Sequence, residues 1–320
     1  CDIYSQDGSG IDEDTDAVCI STAIETSNPD IARAQALNIP VVHRSDLLAA
    51  IMASKKAVAV AGTSGKSTVT AMIFEFLLAC DKSPSLISGA PLRRLERQGL
   101  IGNAYAGGSN LLVVEVDESD GTIVKYAPDY AVILNISKDH KDIDELKVLF
   151  ETLLSNSDWT CVNADDPCLS FFSAKASFGQ NPAAYWRPDS MQLLENSVML
   201  SRKGVEYHLP LPGRHNIENL MAAVCICEHL GCDASMLADA AKTFEGVARR
   251  FSVANTVNGI CVVDDFAHNP AKIAAAVNAA RGLSGRIIAV YQPHGFGPTR
   301  FLKDEYISTF QTVFGRKDSL

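Results

Sequence analysis

Apolar positions along the chain fall into two rhythms. Short runs at 57–61, 111–116, 130–136 and 159–163 carry few polar interruptions and read as strands covered on both faces, as in a parallel sheet. Longer stretches with helical periodicity predict helices over 66–79, 144–155, 216–230 and 233–244, with Gly231 standing past the end of the third. Strand and helix alternate, which predicts a doubly wound α/β parallel sheet. Ahead of it, short strands at 17–21 and 38–43 flank a helix opened by Asn28-Pro29-Asp30, and Asp46 is expected to cap a short helix over 47–52. Lys55-Lys56 reads as a linker, and 184–212 as a meander of short strands with Gly204 in a turn. A further β-α-β pattern follows: strand 260–263, helix 270–280, strand 286–291 and helix 302–314. The expected organisation is a central domain at 54–252 between partial Rossmann-like domains at 1–53 and 253–320. Both ends, Cys1 and Leu320, read as cut points, with roughly half of the last domain missing by the measure of an ordinary domain.

Composition narrows the function. The chain has 320 residues, 47% hydrophobic and 21% charged, so it can bury a core and is not disordered. Its formal net charge of −10 argues against a nucleic-acid backbone binder. A local loop can still be electropositive enough for a small phosphate ligand. No apolar run reaches the roughly 18 residues of a membrane span, and no secretory signal is visible. Nine scattered Cys read as reduced thiols, which predicts a cytoplasmic protein. Cys225 and Cys227 would point about 200° apart on a helix and so cannot converge on a metal; they read as small core residues.

The segment Gly62-Thr63-Ser64-Gly65-Lys66-Ser67-Thr68 lies between a predicted strand and a predicted helix. Glycines let backbone N–H groups approach an anion, and a helix N-terminus carries partial positive charge. Lys66 can reach β- and γ-phosphates, and Ser67 can place a hydroxyl on Mg²⁺. The pattern Gly-x₄-Gly-Lys-Ser/Thr would require Gly at position 60, where Val60 stands, so the loop is a variant. The competing reading is a Gly-rich turn before an ordinary helix.

Mg-ATP chemistry needs a carboxylate near such a loop. Glu115, near the end of a central strand, is the first candidate, with Asp117, Glu118, Ser119 and Asp120 on the loop that follows. A solvated acidic turn is the alternative. Asp139-His140 ends the next strand, where a second metal ion or the substrate would lie. Asn216 and Asn219 could instead open a helix, Arg249-Arg250 could be surface charge, and Asp264-Asp265 could serve a turn.

The ordered motifs Gly62–Thr68, Glu115–Asp120, Asn135–His140, His215-Asn216-Ile217-Glu218-Asn219, Arg249-Arg250-Phe251, Asp264-Asp265-Phe266-Ala267-His268-Asn269-Pro270 and Gln292-Pro293-His294 resemble those of the Mur ligases. The resemblance covers essentially the whole chain and is strongest to the branch that joins L-alanine to UDP-N-acetylmuramate. It implies an ATP-dependent amide ligase of peptidoglycan precursor synthesis, in which ATP activates a carboxylate as an acyl phosphate and an amine displaces the phosphate. The implied cofactors are ATP and Mg²⁺. The implied partners are a UDP-N-acetylmuramate-like nucleotide sugar and an amino acid, with no nucleic acid or membrane, in a monomer or dimer. By the same resemblance Lys66, Glu115 and His140 are catalytic, and Ser67, Glu115 and His140 hold metal. Gly62, Thr63, Ser64, Gly65, Lys66, Ser67 and Thr68, with Asn219, Arg250 and Asp265, bind ATP. Asp117, Glu118, Ser119, His268, His294 and Arg300 face substrate. A related ligase with a different amine or peptide acceptor, or a nucleotide-binding regulatory homologue, is the alternative.

Departures from the family pattern bear on specificity. The Gly-rich loop that grips the nucleotide sugar would precede Cys1. The stretch Gly295-Phe296-Gly297-Pro298-Thr299-Arg300 replaces an Arg/Thr-rich one. Lys138 and Lys141 stand where the branch usually has acidic or neutral residues, which predicts a preference for an anionic substrate.

Overall fold

The computed structural model describes residues 2–138, 141–283, 285–293 and 296–320, so the candidate residues His140 and His294 lie outside the described residues. In the N-terminal segment, strands β1 (Val18–Ile20) and β2 (Val41–His43) pair in parallel around helix α1 (Pro29–Ala36). Asn28 caps α1 by accepting from Asp30 N, as its sequence position predicts. Helix α2 (Arg44–Ala53) starts earlier than expected. Its cap is His43, whose ring accepts from Ser45 N, and Asp46 falls inside the first turn, where a carboxylate suits the helix dipole.

A seven-stranded sheet forms the centre. In chain order the elements are β3 (Lys56–Ala61), α3 (Lys66–Ala79), β4 (Ser85–Ile87), α4 (Arg93–Arg97), β5 (Ala104–Tyr105), β6 (Leu111–Glu115), β7 (Tyr130–Ile133), α5 (Ile143–Ser155), β8 (Trp159–Asn163) and β9 (Ala176–Phe178). The spatial order is β5-β4-β6-β3-β7-β8-β9, parallel throughout except for the edge strand β5. β3 is flanked by β6 and β7, and the chain winds away from it to both sides. The carboxyl end of β3 is therefore the topological switch point, where α/β sheets hold ligands. The apolar run of β3 explains its place: Ala57, Val58, Ala59, Val60 and Ala61 are all fully buried.

The two faces of the sheet pack separately. On one lie α3 and two later helices, α6 (Arg214–His229) and α7 (Ala234–Lys242); on the other lie α2 and α5. Cys161, Cys225 and Cys227 are core residues of the first face, and no described cysteine is in a disulfide. The meander is β10 (Ser190–Leu193), β11 (Val198–Arg202) and β12 (Val205–Leu209), an antiparallel sheet with Gly204 at positive φ in its last turn.

The C-terminal segment departs from the β-α-β expectation. β13 (Ser252–Val257) and β14 (Ile260–Asp264) form an antiparallel hairpin. Its two-residue turn is Asn258-Gly259, both at positive φ, the chemistry such a turn requires. The expected strand at 286–291 contributes only an isolated bridge between Ile288 and Ser319. Helices α8 (Pro270–Arg281), α9 (Phe296–Phe301) and α10 (Lys303–Val313) complete the chain, with Ile273, Val277, Leu302 and Tyr306 forming a small core.

Candidate active site

The loop between β3 and α3 is bent by two glycines at positive φ, Gly62 at 134° and Gly65 at 85°. A Cβ on Gly65 would stand 2.6 Å from Asn219 Oδ1, so only glycine lets the loop pass this close to α6. Asn135, just past β7, clamps the loop. Its Oδ1 accepts from Ser64 N at 2.8 Å and from Thr63 Oγ1 at 3.0 Å, and its Nδ2 donates to Ser64 O at 3.0 Å. The N-terminus of α3 faces the open cleft with no side-chain cap, an anion-binding arrangement.

Lys66 donates from Nζ to Gly62 O at 2.8 Å and to Glu118 Oε2 at 2.7 Å, with Asp117 Oδ1 at 4.0 Å. Burial alone would lower the Lys66 ammonium, but Glu118, Asp117 and Glu115 outweigh it and hold the group above the usual lysine range. Burial pushes the Glu118 carboxyl up against the pull of Lys66. Burial also pushes Asp117 up, but Lys66 and two hydrogen bonds from Ser119 bring it below the ordinary range. Ser119 thus serves Asp117, donating to it from Oγ at 2.7 Å.

Glu115 stands at the end of β6. Its Oε1 accepts from Ser67 Oγ at 3.1 Å, and its Oε2 from Gly89 N at 2.8 Å. A Cβ on Gly89 would lie 3.0 Å from that carboxylate, so Gly89 is the close partner that fixes it. Arg250 reaches Ser67 Oγ from the other side at 3.4 Å. Among the described residues there is no group of three or more His, Cys, Asp or Glu able to hold a metal ion. A hydroxyl and one carboxylate are the sparse, hard-oxygen set that suits Mg²⁺ when phosphates and waters complete its shell. The observed pairing of Ser67 with Glu115 at the loop mouth fits that group.

The cleft above these residues measures about 740 Å³. Thr63 to Thr68, Glu115, Asp117, Glu118, Ser119, Asn219, Arg250, Asp265 and His268 all line it. Asn219 packs against the loop at 62–68 and donates to Asn216 Oδ1 at 3.0 Å, while Phe178, Leu211, His215 and Asn216 also line the cleft. Asp265 accepts from Phe251 N at 2.7 Å and is pushed up by burial. Arg249 and Phe251, on either side of Arg250, have φ of 56° and 47°, a strained backbone that turns the Arg250 side chain inward. Arg300 is exposed on α9 and is not part of the cleft lining.

Some contributors were not singled out from the sequence. Arg44, at the start of α2, lines the cleft and pairs with Asp120 Oδ2 at 2.5 Å. Gly89 and Lys272 are the others, while Asn135 was part of a family motif but its role as the clamp of the loop was not foreseen. Lys138 pairs with Glu305 at 2.9 Å and lies 4.4 Å from the Phe301 ring centre, while Lys141 pairs with Glu145. Both lysines are thus engaged with groups of the chain itself.

A doubly wound sheet with a phosphate loop at its switch point, a lysine in that loop and a hydroxyl-carboxylate pair beside it defines a nucleotide-phosphate-handling α/β protein. Comparison with known sequences is more specific. The Mur ligase middle domain profile matches residues 60–227, the Mur ligase glutamate ligase domain profile 249–313, and the Mur ligase family catalytic domain profile 4–56. The chain belongs to the Mur ligase family. It is 34% identical to UDP-N-acetylmuramate–L-alanine ligase of Rhodopseudomonas palustris, over 92% of this chain and 68% of that one. It is 36% identical to the enzyme of the same name from Desulforamulus reducens, over 94% and 68%. The crystal structure of UDP-N-acetylmuramate-alanine ligase from Thermotoga maritima superposes with a TM-score of 0.78 at 26% identity, covering 96% of this chain and 76% of that one. A murein peptide ligase from Psychrobacter arcticus shares the fold, with a TM-score of 0.70 at 21% identity over 88% and 66%.

Proposed function

We infer that this chain is an ATP-dependent carboxylate–amine ligase that joins an amino acid, L-alanine, to the carboxylate of UDP-N-acetylmuramate in peptidoglycan precursor synthesis. The observation that carries the reading is the convergence of Lys66, Ser67, Glu115 and Arg250 on one cleft whose other wall is α8. Relatives named UDP-N-acetylmuramate–L-alanine ligase support the choice of substrates.

A carboxylate is a poor electrophile at neutral pH, and phosphorylation supplies a leaving group. The loop amides and Lys66 bind and orient the phosphates of ATP, and Arg250 adds positive charge where the γ-phosphoryl group transfers. Ser67 and Glu115 would hold Mg²⁺, which supplies neutralisation of phosphate charge when bound. His140, which lies outside the described residues, is proposed as a further metal ligand. The substrate carboxylate oxygen takes the γ-phosphoryl group and ADP leaves. The amine nitrogen then bonds to the acyl carbon, the carbon–oxygen bond to phosphate breaks with its electron pair going to phosphate, and the amine proton passes to solvent. Asn219 and Asp265, with Phe178 and His215, are proposed to receive the nucleoside. The nucleotide sugar is proposed to lie on the Arg44 side. The three-part division at 1–53, 54–252 and 253–320 is part of the same proposal, with closure at the strained 249–251 linker.

Release of ADP that requires both UDP-N-acetylmuramate and an amino acid tests this reading. Nucleotide binding without turnover under any acceptor would favour a regulatory homologue.

A further inference from the structure

The wall of the cleft across from the phosphate loop is α8. Asn269 caps it, its Oδ1 accepting from Lys272 N at 2.9 Å. Ala271, Lys272, Ala275 and Ala276 all face the cleft. Pairs four residues apart share one side of a helix, so 271 with 275 and 272 with 276 form a continuous strip. Three of these four side chains are single methyl groups, and the fourth carries a positive charge.

Lys272 is held over the cleft by His268. Its Nζ lies 3.3 Å from His268 Nε2. An ammonium only donates, so Nε2 accepts and the ring proton sits on Nδ1, which donates to Phe266 O at 2.9 Å. The Lys272 head has three N–H groups, so it can serve more than one partner at once.

The phosphate loop fixes where an acyl phosphate must form. The attacking amine comes from a wall that can bind a small zwitterion, holding its carboxylate while its short side chain lies against an apolar surface. The α8 strip offers both features, a cation and a row of methyl groups. We propose that Lys272 binds the α-carboxylate of the incoming amino acid and that Ala271, Ala275 and Ala276 restrict its side chain to a small one. The proposal rests on the ligase reading and adds to it the residue that selects the acceptor.

The test compares the native chain with Lys272→Met and Lys272→Arg, using L-alanine and L-alaninamide, which lacks the carboxylate. At saturating ATP and UDP-N-acetylmuramate, Lys272→Met is expected to raise the KM for alanine by about tenfold or more, the scale of one lost charge-assisted hydrogen bond. The same variant is expected to lose the native preference for alanine over alaninamide, and Lys272→Arg to retain it. An unchanged KM for alanine overturns the proposal. So does an equal rise for alanine and alaninamide, and so does a rise in the KM for ATP alone, which would place a phosphate on Lys272. A separate measurement guards the ligase reading: native chain, ATP, UDP-N-acetylmuramate and hydroxylamine, without amino acid, should yield the hydroxamate of the trapped acyl phosphate. No hydroxamate overturns both readings; hydroxamate with an unaltered KM for alanine overturns only the role of Lys272.

Discussion

Lys66 Nζ donates to Glu118 Oε2 at 2.7 Å, and both side chains are nearly buried. The cation proposed to meet phosphate is thus already oriented by a carboxylate three residues beyond Glu115. Lys66→Ala is expected to cut turnover by about 10²- to 10³-fold or more, the scale of losing one preorganised electrostatic contact. The α/β fold should persist by circular dichroism, with a lowered melting temperature because Glu118 is left buried without its cation. A rate within a few-fold of native would show that the loop has been misassigned.

The same pair sets up a competition. In the proposed complex, phosphates and Glu118 would both draw on the Lys66 ammonium, whose donors also serve Gly62 O. Glu118→Gln keeps the shape and removes the competing charge. Affinity for ADP, read by titration calorimetry, is expected to rise by about three- to tenfold, within the range of one charge-assisted hydrogen bond. Weaker binding would mean that Glu118 contributes to nucleotide affinity by aiming Lys66.

Gly65 and Asn219 are too close for any side chain to intervene, since a Cβ on Gly65 would lie 2.6 Å from Asn219 Oδ1, and the glycine sits at positive φ. Gly65→Ala should therefore shift the loop off Asn219 and abolish nucleotide binding. Gly89→Ala is milder, pushing against the Glu115 carboxylate from 3.0 Å. It is expected to raise the Mg²⁺ concentration needed for half-maximal rate several-fold while leaving ADP affinity little changed. Equal losses of both quantities in the two variants would contradict the separate roles given to these glycines.

The loop at 62–68 was legible as a strand–glycine–lysine–helix unit because its pattern is local: all of it falls within a dozen residues. Glu118 was visible as a residue but not as the partner of Lys66, since that pairing depends on how the chain folds back after β6. Lys272 carried no signal at all, because a lysine in an Ala-rich helix reads as a solvated face until the opposite wall of the cleft is known. The hairpin of β13 and β14 was announced by Asn258-Gly259, yet the alternation of strands and helices around it suggested a parallel unit instead. Helix α4 and strands β4 and β5 are too short to show a period. The two lysines of the 137–141 region looked like a substrate-selecting charge because their partners, Glu305 and Glu145, could not be assigned from spacing.

Those ion pairs make a prediction about specificity. With Lys138 engaged by Glu305 and by the Phe301 ring, Lys138→Gln should leave the preference among acceptor amino acids unchanged. Both partners are more than a third exposed, so solvent screens the contact and it adds little to stability. A modest rise in KM for the substrates, smaller at high salt, is the expected signature of loosened contact between the central sheet and α10. A changed preference among acceptor amino acids in the variant would restore the reading of Lys138 as a selector.

Glu75 lies on α3 beneath α4, 2% exposed, with Oε1 lacking a partner among the described residues and Arg94 3.9 Å from Oε2. Burial pushes its carboxyl from the ordinary value of 4.5 up to about 7, against the pull of Arg94 and Arg97 and with some help from Glu245. The folded state therefore binds this proton more tightly than the unfolded chain does. The resulting stabilisation is fully present below about pH 4.5 and is lost as the pH rises through about 7. The span corresponds to about 3 kcal/mol as an upper bound. Glu75→Gln keeps the volume and removes the titration, so the stability of the variant minus that of the native chain should grow as the pH is raised from 5 to 8. Urea unfolding at several pH values in that range measures the difference. A difference that stays constant with pH would mean that Glu75 remains ionised in the fold, held by Arg94.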